Sequence, residues 1–493
     1  MVTTFVSRNV ALGGHTEPFR LAPALVEVVG TRIAAVHTPS EREGLLAMSE
    51  RARRSGPVID LGEHLLTPAF VNAHTHLALV ALRGLDPRTR FSVRGGDNLV
   101  EEFMFRVESS LAPGDVRAFA RMGAYESLLS GVGFVWDHYY FGAEVAEALA
   151  DVGLAGVVAP TLQDLAGPGA AGWEGALETT CALDDDAWAE RGVFAALGPH
   201  ATDTVSQGLW ERALELAVAR GLPIHAHLAQ SIEEHERTHL RTRLTPLRFL
   251  RSIGVLERAP SVVLAHAIYV SRAELGLLDP RRHALVVCPA SAQVFGFPSD
   301  VSRWTEDRAR WAVATDCAAS NDSMGPQKEL RMVAGQRTLA ATYSPGYQRF
   351  LEDGRVDDAR AAWKVRAERF EGGAADATPE RLLSRLWSIP GSFHPKVRVG
   401  VIEPGALACL AGWNLEHPSL WPSHTPLAGL AMGEPLPALE LMVVAGRTVA
   451  RGRVSETLVT SPGYARARAE ASTRLRALLE RAGLSEARST SPT

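Results

Sequence analysis

The sequence predicts an α/β protein: a (β/α)8 TIM-like barrel with a small composite β-sandwich domain formed by both chain ends. Three observations lead there. Short apolar runs alternate with helix-period segments through the middle of the chain, there are eight such runs, and β-rich segments punctuated by glycine stand at both ends.

Residues 1–63 read as short strands broken by turns, FVSRNVALGG, ALVEVVG, RIAAVH and PVIDLG, and residues 396–455 read the same way through ALACLAGW and LELMVVAGRTVARGR. Their β-branched content suits a sheet that the two ends complete together. Residues 64–395 carry the barrel. Its runs are TPAFVNA (67–73), GFVWD (133–137), LAGVVAP (154–160), VFAALGP (193–199), LPIHAHL (222–228), SVVLAH (261–266), ALVVCP (284–289) and WAVATD (311–316). Helix-period segments such as PGDVRAFARMGAYESLLSG and SQGLWERALELAVARG fill the gaps. The stretch 348–380 reads as a polar, helix-like surface excursion, and 95–103 as a lid over the barrel mouth. Residues 456–493 give a solvated helix, YARARAEASTRLRALLERAG, and a frayed polar tail.

Composition narrows the function. With 493 residues, 46% hydrophobic and 22% charged, the chain is ordinary globular protein. A net charge of −5 excludes a basic nucleic-acid footprint. The four cysteines form no C-x-x-C pair, which argues against a disulfide scaffold or a thiolate zinc knuckle. There is no apolar leader and no run long enough to span a bilayer, so the expectation is a cytoplasmic protein with no membrane partner.

What ends each run points to chemistry. The runs end in His74 and His76, Asp137 and His138, Thr161 and Gln163, His200, His227, His266, Ser291 and Asp316. Barrel enzymes build their sites at the C-terminal ends of the strands, and these are metal-ligand residue types. His74-Thr-His76 can place two imidazoles on one side of an extended segment. Alone the pair is weak, since sixteen histidines produce such pairs by chance. Its place after an apolar strand, with His and Asp at later strand ends, favours ligands over a structural pair. Asp316 can bind the same ion and take a proton from an attacking water; a helix-capping Asp is the ordinary alternative.

TPAFVNAHTHLAL, LPIHAHLAQSIEE, VVLAHAIYVS and ATDCAASND together resemble the amidohydrolase superfamily, most closely the branch of adenosine-type and S-adenosylhomocysteine-type deaminases, guanine deaminase and s-triazine chlorohydrolases. The resemblance runs from about residue 55 to about residue 455. It implies four metal ligands, His74, His76, His227 and Asp316, with His225 the competing third histidine. It implies that His266 polarises the water or substrate, that His200 contacts substrate, and that Glu101 sits where relatives contact a ribose. A substrate role for His138 is a further possibility.

Binuclear members of the superfamily bridge two metals with a fourth-strand carbamylated lysine. Here lysine occurs only at Lys328, Lys364 and Lys396, so that bridge is excluded and one ion is expected, Zn2+ or alternatively Fe2+. The sequence departs from the branch at Gln230, where a proton-shuttling Glu is usual; an amide cannot shuttle a proton. Glu234, four residues on, is an alternative shuttle. CPASAQVFGF around Ser291 also departs from the usual pattern.

The resulting expectation is a mononuclear metal-dependent deaminase of a small nitrogen heterocycle, homo-oligomeric as relatives often are, with Asp316, His266 and Gln230 at the chemistry. The alternatives are a hydrolase that removes chloride or an alkylamine from an s-triazine-like ring, and a weakened barrel that binds metal and ligand without turnover.

Overall fold

The computed structural model describes residues 2–14, 17–40, 44–85, 100–298, 301–342, 344–361, 364 and 378–484, with the side chains of 336–342 excepted. Most of the expected lid, the middle of the surface excursion and the polar tail lie outside the described residues.

Strands are numbered in chain order. The first five are β1 (Val2–Leu12), β2 (Arg20–Val29), β3 (Arg32–His37), β4 (Val58–Asp60) and β5 (Leu65–Pro68). The middle of the chain gives β6 (Phe70–Thr75), β7 (Val132–Tyr139), β8 (Ala155–Leu162), β9 (Val193–Ala195), β10 (Gly198–Pro199), β11 (Ile224–Leu228), β12 (Val262–His266), β13 (His283–Val287) and β14 (Trp311–Val313). Then come β15 (Leu410–Trp413), β16 (Leu439–Val444) and β17 (Arg447–Arg451).

The two ends of the chain form one eight-stranded sheet in the order β17-β16-β15-β5-β1-β2-β3, with β4 beside β1. The sheet curls until its far ends meet. The Ala408 N–H donates to the Thr31 carbonyl at 2.8 Å, and the β16–β17 turn abuts the β2–β3 turn. Gly446 makes that approach possible: its φ is +74°, and a Cβ there would lie 2.0 Å from the Gly30 oxygen. Phe5, Val26, Ile33, Leu66, Leu410 and Leu441 share the apolar cluster inside.

The eight apolar runs all form strands; the first is shared between β5, which joins the end sheet although it lies past residue 63, and β6, and the fourth is split into β9 and β10. Every residue of β7 and β8 is buried, as expected of parallel strands covered on both faces. β6, β7, β8, β9 and β10 make one parallel sheet, and β11 to β14 another. Single bridges join them at both seams, Leu197 to Ile224 and Thr75 to Asp316, so the strands follow one another round a ring. At the second seam Asn72 clasps Thr315, donating from Nδ2 to Oγ1 at 2.8 Å and accepting the Thr315 N–H at 3.1 Å.

The helices cover the outside. Gln207–Arg220 is typical: the Ser206 hydroxyl caps the Leu209 N–H at 3.2 Å, and Gly221 ends the helix in the left-handed region. The C-terminal helix Pro462–Arg481 is less solvated than expected. It buries Ala467, Ala471 and Leu478, and its Arg474 and Arg481 grip the buried Asp115 of the helix Pro113–Leu129.

Candidate metal centre and its cavity

β6 delivers His74-Thr75-His76 to the mouth of the ring. Asp137, at the end of β7, fixes the turn that follows: its Oδ2 accepts the Leu77 N–H at 2.6 Å and the Thr75 hydroxyl at 3.1 Å. Buried imidazoles need their nitrogens accounted for one by one. His76 Nδ1 meets the His138 carbonyl, and His227 Nδ1 meets the His200 carbonyl at 2.9 Å. A carbonyl only accepts, so both Nδ1 atoms carry the proton, and both Nε2 atoms keep a lone pair.

Those lone pairs converge. His227 Nε2 lies 3.3 Å from His76 Nε2. Asp316 Oδ1 lies 3.3 Å from His76 Nε2 and 3.7 Å from His74 Nε2. The Nε2 atoms of His74 and His266 are buried with no hydrogen-bond partner. Among the described residues, two groups hold their ligand atoms within 4.8 Å of one another: His74, His227 and His266, and His74, His76 and Asp316. Unpartnered imidazole nitrogens facing a carboxylate fit a divalent cation. His225, the competing ligand, instead spends its Nε2 on His74 Nδ1 at 2.9 Å.

Electrostatics agrees with that fit at His74 and His227, whereas His76 is raised by its contact with Asp316, against the cost of burial, and gives up that proton to ligate. Burial, followed by the neighbouring histidines, pushes His74 and His227 well below the usual imidazole range, so they are neutral and able to ligate. Burial works to raise the Asp316 carboxyl. Its contact with His76, the nearby His266 and the Ser291 hydroxyl outweigh this and hold it at about 2. Ser291 donates to Asp316 Oδ2 at 2.6 Å, which leaves Oδ1 for the centre. Asp316 and His266 both sit at positive φ, +63° and +72°, a strained conformation for such side chains that the fold imposes at the site.

A cavity of about 60 Å3 opens beside the centre. His76, His138, His200, His227, His266, Gln230 and Asp316 line it, with Leu79, Met104, Phe105 and Phe295 as apolar walls. His200 is held by Thr204 Oγ1 at 2.8 Å from its Nδ1. Glu101 is elsewhere: it pairs with Arg237 and does not line the cavity. Glu234 is turned away too. Its Oε2 accepts the Gln230 N–H at 2.9 Å and its Oε1 the Thr202 hydroxyl at 2.8 Å, so it braces the loop that carries Gln230. The alternative of Glu234 as a shuttle therefore finds no support in its placement.

Glu108, Tyr139, Tyr140 and Cys317 are among the cavity residues that escape a reading of the sequence. The available signal for Glu108 is a carboxylate on the buried stripe of Met104, Val107 and Glu108.

The description "Amidohydrolase family" belongs to the family model that matches residues 65–449. The 5-methylthioadenosine/S-adenosylhomocysteine deaminase of Natronomonas pharaonis is 29% identical over 433 residues, covering 87% of this chain and 90% of its own. An adenosine deaminase from Xanthomonas campestris, solved with bound zinc, superposes with a TM-score of 0.72 at 20% identity, covering 96% of this chain and 98% of that one. A mutant atrazine chlorohydrolase from Arthrobacter aurescens TC1, complexed with zinc and atraton, gives a TM-score of 0.73 at 20% identity, covering 96% and 100%.

Proposed function

Because the chain belongs to the amidohydrolase family, we propose that it is a metal-dependent hydrolase that removes an amino group from an adenosine-like or related purine ring. The observation that carries this is the convergence of His74, His76 and His227 Nε2 with Asp316 Oδ1 at the head of a cavity lined by imidazoles and aromatic rings. Two of the relatives reported above are named for deamination of adenosine or its derivatives.

In this reading His74, His76, His227 and Asp316 hold one ion, zinc in preference to iron. A bound divalent ion there supplies Lewis acidity and lowers the pKa of water. The chain supplies the rest. Asp316 takes a proton from the attacking water and passes it to the departing amine. His266, pushed down to about 4 by burial against the pull of Asp316, is a neutral imidazole that hydrogen-bonds the oxygen as charge builds on it. His200 and the aromatic walls orient the ring, and Gln230 hydrogen-bonds it.

A second reading, loss of chloride or an alkylamine from an s-triazine-like ring, is favoured by Gln230: chloride leaves without a proton, so an amide in the cavity costs that reaction less. Binding without turnover is the third. The test is zinc-loaded protein assayed for ammonia release from adenosine, 5-methylthioadenosine, S-adenosylhomocysteine and guanine, and for chloride release from atrazine. Ammonia from a purine supports the proposal, chloride alone supports the second reading, and neither supports the third. A homo-oligomer in the cytoplasm belongs to the same proposal; among the described residues, no helix is long and apolar enough to cross a membrane.

A further inference from the structure

Asp316 Oδ1 faces the imidazoles, and two short helices meet at Oδ2. The helix Pro289–Phe295 carries Ser291, whose hydroxyl donates to Oδ2 at 2.6 Å. The helix Ala318–Asn321 carries Ser320, whose Oγ lies 3.3 Å from the same oxygen and equally close to the Cys317 carbonyl. Helices of one or two turns have little stability of their own, so whatever holds these two decides where the hydroxyls stand.

Glu329 joins them. It stands near the start of the helix Gln327–Thr342, is buried, and does not line the cavity. Its Oε2 accepts the Ala290 N–H at 2.8 Å, one residue before Ser291. Its Oε1 accepts from Asn321 Nδ2 at 2.9 Å, one residue after Ser320. The same Asn321 amide donates to the Thr315 carbonyl at 2.8 Å, one residue before Asp316. Each partner of Glu329 is therefore the chain neighbour of a group that touches Asp316. Both partners are N–H donors, so both side-chain oxygens must accept, and a carboxylate does this. A glutamine has one oxygen and would set an NH2 group against an N–H. Asn321 could answer only by turning its own oxygen toward that NH2, which takes its donor away from the Thr315 carbonyl.

Resting on the metal-centre reading above, we propose that Glu329 is a positioning residue: by bolting the Ser291 helix to the Ser320–Asn321 helix it holds the Asp316 carboxylate with Oδ2 bonded and Oδ1 free for the ion. It works through Ser291 on one side and through Asn321 and the Thr315 backbone on the other. Without the bolt Asp316 is still present, but its carboxylate can turn, so the ligand is loosened and the proton carrier stands less well aimed.

The experiment measures zinc affinity by competition against a chelator, with melting temperature and the kinetics of ammonia release from adenosine. It compares wild type, Glu329→Gln, Asn321→Ala, Ser291→Ala and the double variant Glu329→Gln/Ser291→Ala. Glu329→Gln is expected to weaken zinc binding about 10-fold, the low end for groups standing behind a ligand, and to lower kcat with KM little changed. Asn321→Ala breaks the bolt from the other side and is expected to do the same, which decides the matter should the Gln variant not fold. The double variant is expected to bind zinc about as well as the weaker single variant, because the two changes act along one line of contacts. Glu329→Gln combined with His225→Leu, which acts through His74, is expected to show the product of the two losses. A merely structural glutamate would lower the melting temperature without coupling to Ser291. Zinc affinity of Glu329→Gln and Asn321→Ala equal to wild type overturns the proposal, and so does a Glu329→Gln/Ser291→Ala loss that is the product of the single losses. If wild type binds zinc but releases no ammonia from any purine, the deaminase reading fails alone, and the affinity measurements still decide Glu329. If wild type binds no zinc, the metal reading fails and the proposal falls with it.

Discussion

His74 and His225 are hydrogen-bonded through Nδ1 and Nε2 at 2.9 Å, their rings at right angles and both side chains fully buried. The contact occupies Nδ1, so only Nε2 of His74 faces the centre. Ligation requires the tautomer in which Nδ1–H donates to His225, which puts the lone pair on Nε2, toward Asp316.

Replacing His225 by leucine should keep the fold and weaken zinc affinity about 10- to 100-fold, the usual effect of losing a partner behind a ligand. Competition against a chelator measures it. Unchanged affinity would show that His74 is oriented by packing alone.

Purified protein should hold about one zinc or iron per chain, since one set of side chains converges on one open position. His76→Ala should remove most of it. Elemental analysis finding two ions per chain would end the mononuclear reading.

Asp316→Asn should lower turnover about 10²-fold or more at fixed metal content, the low end of what a positioned proton carrier contributes. Ser291→Ala should do less, because it frees Asp316 Oδ2 without removing the carboxylate. A fully active Asp316→Asn with metal bound would contradict the role.

Glu234→Gln should lower the melting temperature and leave kcat much less affected. The change places an NH2 group against the Gln230 N–H or the Thr202 hydroxyl, both now bonded to a buried carboxyl. Gln230→Glu should instead alter catalysis, raising ammonia release from purines by adding a carboxyl to the cavity. Calorimetry and steady-state kinetics on the two variants separate bracing from chemistry.

Glu108 gives a pH signature with a definite sign. Its folded-state pKa is raised from the ordinary 4.5 to about 7 by burial, so between these values the native protein binds more protons than the unfolded chain. Its contribution to stability is complete below about 4.5 and is lost as pH rises through about 7. Glu108→Gln should therefore raise the melting temperature more at pH 8 than at pH 5. An equal change at both would place the carboxyl in water.

The barrel is legible in the sequence because parallel strands buried on both faces must be apolar throughout, and their polar endings mark the mouth. That logic leads to His74, His76, His227, His266 and Asp316 without a structure. It fails where a loop decides direction. Glu101 and Glu108 lie seven residues apart in one acidic segment, yet one pairs with Arg237 and the other enters the cavity. Glu234 looks like a catalytic acid by spacing, and only the position of Thr202 and the Gln230 backbone shows that it is a brace. The C-terminal helix looks polar by composition, while Ala467, Ala471 and Leu478 form too thin a stripe to announce its docking.

The clasp between Asn72 and Thr315 spans 243 residues of sequence. His74 and His76 lie just past one end and Asp316 just past the other. Closing a loop of that length costs chain entropy, and long-range pairing of this kind slows folding. The imidazoles and the carboxylate of the centre therefore come together only when the last strand finds the first. During synthesis the histidine pair waits at the end of a finished strand until its carboxylate partner arrives, and full metal affinity becomes a report that the ring has shut.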